Sequence, residues 1–409
     1  MKTMALRIPQ KAKNWLKHLP LAFLALVYYR FPSRKLKVIG VTGTDGKTTT
    51  VNLIYHLLHE ADRAVGMVST VSARIGSEEI ETGFHVTAPN PWVLQKLLRQ
   101  MVEEKNKYLV LEITSHGLDQ FRFFGIDFEI GILTNIAHEH LDYHGSFKNY
   151  RQAKLRLFQG SKTVILNKDD PSFDFFKEKL LAKKLITYSL KSQADFTPKN
   201  FDFKTKLIGD YNRYNCLAAA AAAFSLGLKK ETIKKAFLSF PGLPGRMEEI
   251  SEGQNFKVII DFAHTPQGLE QTLKALKKLK KKKGKLIVVF GCAGERDKQK
   301  RPMMGEIAGK LADLVVLTAE DPRTEKVRDI CQQIALGCQK ANCKSMVIVD
   351  RTQAIEFAVS EAQKNDIVVI CGKGHEKTIC FGRTEYPWSD QEAAKKVLEK
   401  LVLKERKKK

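Results

Sequence analysis

Short apolar runs alternate with helix-length amphipathic stretches along most of the chain. Lys37-Val38-Ile39-Gly40-Val41 runs into a polar loop and then a helical pattern from Thr48 to Glu60, which is the signature of a βα unit feeding a parallel sheet. Further strands are expected at Tyr108 to Leu111, Ile130 to Thr134 and Val164 to Leu166, and an alanine-rich helix from about Asn212 to Leu226. Phe240-Pro241-Gly242-Leu243-Pro244-Gly245 is the densest Pro/Gly cluster and predicts a hinge. A second alternating series follows it, with strands at Val258 to Ile260, Leu286 to Phe290, Leu314 to Leu317, Met346 to Val349 and Ile367 to Ile370. The predicted fold is α/β: a basic, apolar segment 1–36, a central P-loop-type parallel-sheet ATPase domain at 37–242, and a smaller dinucleotide-fold-like α/β domain at 243–409.

Composition adds one constraint. The 409 residues are 43% hydrophobic and 28% charged, the balance of a folded enzyme, but the formal net charge is +24. Such a surface favours nucleotides, phosphorylated or carboxylated substrates, nucleic acid or an anionic membrane. Seven cysteines without a CxxC pair suggest reduced thiols in a cytoplasmic protein rather than a disulfide framework or zinc ribbon. Near the start, Leu19 to Tyr29 is apolar and flanked by lysines. It is too short to span a bilayer, which needs about 20 apolar residues. A helix packed on the protein, an interfacial membrane helix at the inner face of the membrane and a partner-docking segment all remain open.

The candidate chemistry begins at Gly43-Thr44-Asp45-Gly46-Lys47-Thr48. A strand entering a Gly-rich turn with Lys-Thr at a helix start brings backbone N–H groups and a positive helix terminus around phosphate oxygens, with Lys47 at the terminal phosphates and Thr48 on Mg²⁺. Val41 occupies the place of the usual first glycine, so the loop is a shortened variant. Leu111 to Asp119 follows a strand and places Glu112 where a carboxylate can hold Mg²⁺ opposite the loop. Thr134 to His144 contains three histidines in seven residues, a pattern of metal or phosphate contacts.

These motifs resemble the Mur ligases, and among them the UDP-N-acetylmuramyl-tripeptide synthetases. The resemblance runs in order over about residues 38–390 and includes Thr87-Ala88-Pro89-Asn90, Tyr150-Arg151-Gln152-Ala153-Lys154, Asp210-Tyr211-Asn212, Pro244-Gly245-Arg246, Asp261 to Pro266, Asp321-Pro322-Arg323 and Gly372-Lys373-Gly374-His375-Glu376. It implies an ATP-dependent amide-bond ligase working through an acyl phosphate, chemistry that asks the protein for positioning and charge neutralisation. By resemblance, Glu112, His140 and Thr48 are Mg²⁺ ligands, with Lys154 joining them as a carbamate. Gly43 to Thr49, Asn135, Asn215, Arg246 and Asp350 contact ATP, and Lys47, Lys154, Arg246 and His264 form the catalytic set. Thr87, Ser115 and Arg122 contact a muramyl-peptide acceptor. Arg301, Asp321, Arg323, Gly372 and Glu376 hold a free diamino acid, either meso-diaminopimelate or L-lysine. The sequence reads Glu320-Asp321-Pro322-Arg323 where the diaminopimelate pattern is Asp-Asn-Pro-Arg, and the added acidity favours an ammonium.

Only about 36 residues precede the loop strand, where the family carries a UDP-binding domain, so the acceptor with or without UDP, or lipid-linked, stays open. A monomer is expected. A basic nucleic-acid ATPase would also account for the charge, but the basic residues lack interleaved aromatics and no nucleic-acid motif is present, so no such partner is expected. A folate or poly-acid substrate on the same fold is a further alternative, opposed by the diaminopimelate-like residues.

Overall fold

A computed structural model describes residues 10–81, 89–137, 139–180 and 183–406. The chain divides into two compact units, one comprising residues 1–206 and 211–240, the other 207–210 and 241–409.

The first unit is built on eight strands: β1 (Lys37–Thr42), β2 (Val65–Val68), β3 (Ser72–Ile75), β4 (Glu78–Glu81), β5 (Tyr108–Glu112), β6 (Phe128–Leu133), β7 (Ser161–Asn167) and β8 (Lys184–Tyr188). Their order is β4-β3-β2-β5-β1-β6-β7-β8. The six strands from β2 to β8 run parallel, and β3 and β4 add an antiparallel edge. Val38, Ile39 and Val41 are buried between β5 and β6, as near-continuous apolar sequence requires in a sheet covered on both faces. The chain leaves β1 toward β2 on one side and reaches β6 on the other. The carboxyl ends of β1, β5 and β6 therefore meet at a point where the strand order reverses, the place where open α/β sheets bind ligands.

Local chemistry fixes the helices around this point. Ser146 caps the helix Phe147–Gln159 by accepting from Asn149 N, and that helix buries Tyr150, Leu155, Leu157 and Phe158. Asn90 and Pro91 start the helix Pro91–Glu103 in the same manner, a polar cap followed by a ring that needs no N–H partner. The alanine-rich helix spans Asp210–Ser225 and buries six consecutive alanines, Ala218 to Ala223.

The second unit holds β9 (Glu248–Ile250), β10 (Lys257–Asp261), β11 (Leu286–Phe290), β12 (Leu314–Leu317), β13 (Ser345–Val347) and β14 (Ile367–Cys371), in the order β13-β12-β11-β14-β10-β9. All pairs are parallel except that of β9 with β10. A hairpin of β15 (Thr378–Phe381) and β16 (Thr384–Pro387) stands apart. Met346 to Val349, expected as one strand, ends at Val347, because Ile348 N turns to the Leu317 carbonyl and the chain then enters a helix at Arg351. Arg351, fully buried, makes two bonds to Asp390 (2.7 and 2.8 Å) and caps the carbonyls of Ala319 and Cys371, tying the helix Asp390–Arg406 to the sheet ends.

Candidate active site

The loop after β1 is held by the segment after β6. Thr44 N donates to the Asn135 carbonyl (2.8 Å), Asp45 N to Asn135 Oδ1 (2.9 Å), and Asn135 Nδ2 and Thr134 Oγ1 both donate to the Asp45 carbonyl (3.0 and 2.6 Å). The Asn135 side chain thus positions the loop through both ends of its amide. Gly46 has φ +81°, and a Cβ there would lie 2.4 Å from Asn215 Oδ1, so the turn into the helix Lys47–His59 admits only glycine without strain. A Cβ on Gly43 would fall 1.8 Å from Thr134 Oγ1. These two absent side chains leave a backbone cradle at a helix N-terminus, which fits a nucleotide phosphate. Lys47 Nζ folds back onto the Thr44 carbonyl at 2.6 Å, within the same loop. Thr49 is buried in the first turn of the helix.

The register of β1 with β5 sets Val41 opposite Glu112. Buried Glu112 accepts through Oε2 from Thr48 Oγ1 and from Thr70 N, each at 3.0 Å. A hydroxyl and a carboxylate so placed are hard oxygen donors, and Mg²⁺ is commonly held by one or two carboxylates with phosphate oxygens and water completing its shell. The donor set therefore fits Mg²⁺. Among the described residues no three His, Cys, Asp or Glu side chains converge as a preformed cage.

His140, with φ +55°, packs its ring against His116 (centroids 4.6 Å apart) and faces Glu139 at 3.6 Å. His116 also meets Tyr143 and His144, and burial, reinforced by His140 and His144, lowers its pKa to about 3, which leaves it a neutral imidazole. His144 Nε2 is paired with Ser115 Oγ at 3.0 Å. Arg122 donates twice to Gln120 Oε1 (3.0 and 2.7 Å) on the same turn, so Ser115 and Arg122 share one short stretch after β5. Thr87 lies outside the described residues.

Lys154 is almost completely buried. Its Nζ donates to the Gly43 carbonyl at 2.7 Å and to Thr42 Oγ1 at 3.4 Å, above the Tyr150 ring. Burial, with the neighbouring Lys47 charge, holds the amine well below the ordinary lysine range. An uncharged amine is the form that attacks CO₂, so the environment suits a carbamate. Tyr150, not singled out from sequence, links the parts: its hydroxyl pairs with Thr44 Oγ1 at 2.9 Å, and its ring faces His140 and Lys154.

In the second unit, the Arg246 guanidinium stacks on Phe262 at 4.3 Å, and its Nε is buried without a partner among the described residues. Phe262 also packs against His264 and His375, and His264 Nδ1 pairs with the Phe262 carbonyl. Arg246, His264 and His375 therefore form one cluster. Burial, and then Arg246, lowers His375 to a pKa of about 3. Asp350 is exposed and caps the helix Arg351–Glu361 by accepting from Gln353 N at 2.8 Å.

The residues assigned to the amino acid separate into two kinds. Arg301 is sealed inside, bonded to Glu325 (2.9 and 3.0 Å), Gln333 and the Ala293 carbonyl, so it supports the loops and presents no surface to a ligand here. Arg323, at φ +50°, donates by Nη1 to the Gly294 carbonyl at 2.7 Å. Its remaining guanidinium nitrogens have no partner among the described residues, and such a fork can take a carboxylate. Buried Lys373, which sequence reasoning passed over, bridges Asp321 (2.8 Å) and Glu376 (2.5 Å). Glu320 lies over Gly372, and its buried Oε2 has no partner among the described residues. Asp321 thus shares a resident cation with Glu376, which offsets part of the acidity that the sequence set against a ligand carboxylate. Only its place within Gly372-Lys373-Gly374-His375-Glu376 could have marked Lys373.

Two family profiles match the chain: the Mur ligase middle domain over residues 41–223, and the Mur ligase, glutamate ligase domain over 245–374. Curated relatives include the UDP-N-acetylmuramoyl-L-alanyl-D-glutamate--2,6-diaminopimelate ligase of Geobacillus kaustophilus, 36% identical, with 92% of this chain and 81% of the relative covered. The Clostridium acetobutylicum enzyme 1 of that name is 38% identical over 93% and 82%. A solved structure of a ligase of that name aligns at 31% identity and TM-score 0.63, covering 92% of this chain and 82% of that one. A Mycobacterium tuberculosis folylpolyglutamate synthase aligns at TM-score 0.68 but 15% identity, a likeness of fold alone. With both profiles in sequence order and relatives of this identity matched along most of their length, the chain belongs to the Mur ligase family and is an ATP-dependent carbon–nitrogen ligase.

Proposed function

We propose that this ligase joins meso-diaminopimelate to the carboxylate of a muramyl dipeptide during peptidoglycan precursor synthesis. The observation that carries the choice of amino acid is Arg323: its open fork, beside an Asp321 that is paired with Lys373, suits an amino acid with a second carboxylate better than L-lysine, which has none. The relatives' names point the same way.

The acceptor carboxylate attacks the γ-phosphorus of ATP, the bond to the β-phosphate oxygen breaks, and ADP departs. The amine then attacks the acyl carbon, loses a proton, and phosphate leaves. Lys47 and the loop amides neutralise phosphate charge, while Asn135 and Thr134 keep the loop in place. Thr48 and Glu112 would hold Mg²⁺, which supplies charge neutralisation at the phosphates. Carbamylated Lys154 adds an anionic ligand on the same side as Gly43. Ser115 and Arg122 orient the acceptor, and Arg246 and His264 serve the nucleotide. The enzyme acts as a monomer, in the cytoplasm, where its seven free thiols stay reduced.

The test is phosphate release and product mass across acceptors (UDP-muramyl dipeptide, the UDP-free form, a lipid-linked form) and amines (meso-diaminopimelate, L-lysine). Turnover that requires a muramyl dipeptide and prefers diaminopimelate is expected. Preference for lysine overturns the amino-acid assignment, and no stimulation by any pair overturns the acceptor.

A further inference from the structure

The helix Leu19–Tyr28 of the first unit is apolar on every side. Ala22, Ala25 and Leu26 are buried, and the helix packs against Pro91–Glu103. Phe23, Leu24 and Tyr28 are nonetheless 51%, 57% and 70% exposed, and Val27 is exposed beside them. Trp15 and Leu16, one turn earlier, extend the patch, Leu16 being 75% exposed. A helix apolar all round belongs in a core or in lipid, and monomeric proteins seldom leave such a contiguous surface in water.

The face is held firmly. Asn14 Nδ2 donates to Asp119 Oδ2 at 2.7 Å and to the Asp119 carbonyl at 3.1 Å, the Trp15 ring meets Phe121 at 5.2 Å, and Tyr28 packs on Trp92 at 5.4 Å. Apart from Asp119, which Asn14 engages, the sequence flanking the face carries one sign of charge. Lys13, Lys17, Arg30, Arg34 and Lys35 are exposed around it, and no Asp or Glu precedes Asp45 in the sequence. A second copy of the chain docked symmetrically on this face would set these bases against one another.

The ten apolar residues rise about 15 Å, half of a hydrocarbon core of about 30 Å; the helical turns that run into them from Gln10 carry Lys13, Lys17 and His18, and among the described residues no helix is long and apolar enough to cross a membrane. The segment fits a helix lying in the plane of a bilayer surface. We propose that the face formed by Trp15, Leu16, Phe23, Leu24, Val27 and Tyr28 docks on an anionic lipid surface, its apolar side chains below the headgroups and the flanking bases among the phosphates. Because Asn14 is bonded to Asp119, on the turn that carries Ser115, docking brings the proposed acceptor residues close to the membrane plane.

The experiment is co-sedimentation of the full chain with vesicles of phosphatidylcholine alone and of phosphatidylcholine with phosphatidylglycerol, at low and raised salt. Wild type is compared with the triple variant Phe23→Ser, Leu24→Ser, Val27→Ser, whose melting temperature and soluble-substrate turnover are measured in parallel. Binding to the phosphatidylglycerol vesicles, weakened by salt and reduced at least about tenfold in the triple variant, is expected, with both control measurements unchanged. Failure of wild type to bind these vesicles overturns the proposal, as does equal binding of the triple variant. A dimer that the triple variant abolishes, without vesicle binding, assigns the face to a second copy instead. None of these outcomes depends on which amino acid the enzyme adds.

Discussion

Lys154 Nζ donates to the carbonyl oxygen of Gly43 across 2.7 Å, joining a helix that follows β6 to the phosphate loop that follows β1. A lysine so deeply buried is poorly solvated as a cation, and the carbonyl that accepts one of its N–H bonds fixes the direction of the amine. Lys154→Ala is expected to lower turnover at least about a hundredfold with a modest effect on ATP affinity, and short-chain carboxylates in the assay should restore part of the rate. Steady-state kinetics with and without acetate or propionate decide it. Unchanged activity in the variant would remove the carbamate from the mechanism.

Lys47→Ala is expected to abolish measurable turnover while leaving the melting temperature close to wild type, because the Lys47 ammonium bonds within its own loop and supports no distant element. Gly46→Ala differs in kind. Its Cβ meets Asn215 Oδ1 and the residue stays at positive φ, so a loss of roughly 1–3 kcal/mol of stability should accompany weaker ATP binding. Calorimetric titration and thermal melts separate the two effects.

Asp321→Asn removes one of the two carboxylates that flank Lys373. Asparagine is also the residue that the diaminopimelate pattern carries at this position, so the KM for meso-diaminopimelate should not rise and the KM for ATP should be unchanged; a raised amino-acid KM would contradict the placing of Asp321 on Lys373 rather than on the ligand. Lys373→Met is the harsher change, since it leaves Asp321 and Glu376 facing each other without their cation. A stability loss of about 3–5 kcal/mol is expected, read as a lower denaturation midpoint.

Glu325 gives a pH prediction. The Arg301 guanidinium beside it lowers its pKa from 4.5 to about 2. A carboxylate depressed in the folded state contributes stability that is complete above its unfolded pKa and is lost as pH falls through the folded value. The contribution should therefore be intact above pH 4.5 and decline toward pH 2. Glu325→Gln should melt lower than wild type at neutral pH, and the difference should shrink over that acid interval. A constant difference would contradict the pairing.

The parallel strands were legible because β1, β11 and β14 are short apolar runs buried along nearly their whole length, a pattern visible one residue at a time. The antiparallel additions were not: β3 and β4 have only four residues each and carry Arg74, Glu78, Glu79 and Glu81, which reads as loop until a neighbouring strand supplies the ladder. At the site, Gly43 to Thr48 and Glu112 were recognisable because each stands at the carboxyl end of an apolar strand, β1 and β5. Lys373 with Asp321, 52 residues apart, and Tyr150 with Thr44, 106 apart, became partners only through the fold. Arg301 shows the reverse case, where a residue type suited to a ligand is consumed by the protein's own Glu325.

The Arg351–Asp390 pair sets the order of events during synthesis. The arginine leaves the ribosome 39 residues before its counter-charge, an interval of a few seconds at about 5–20 residues per second. Through that interval the guanidinium has no carboxylate to enter the interior with, so closing the sheet ends at Ala319 and, once it is made, Cys371 over it would bury an unpaired charge. The first unit, whose residues are already made, has those seconds to fold on its own, and a nascent chain that stalls before Asp390 is left open for a chaperone or protease to find.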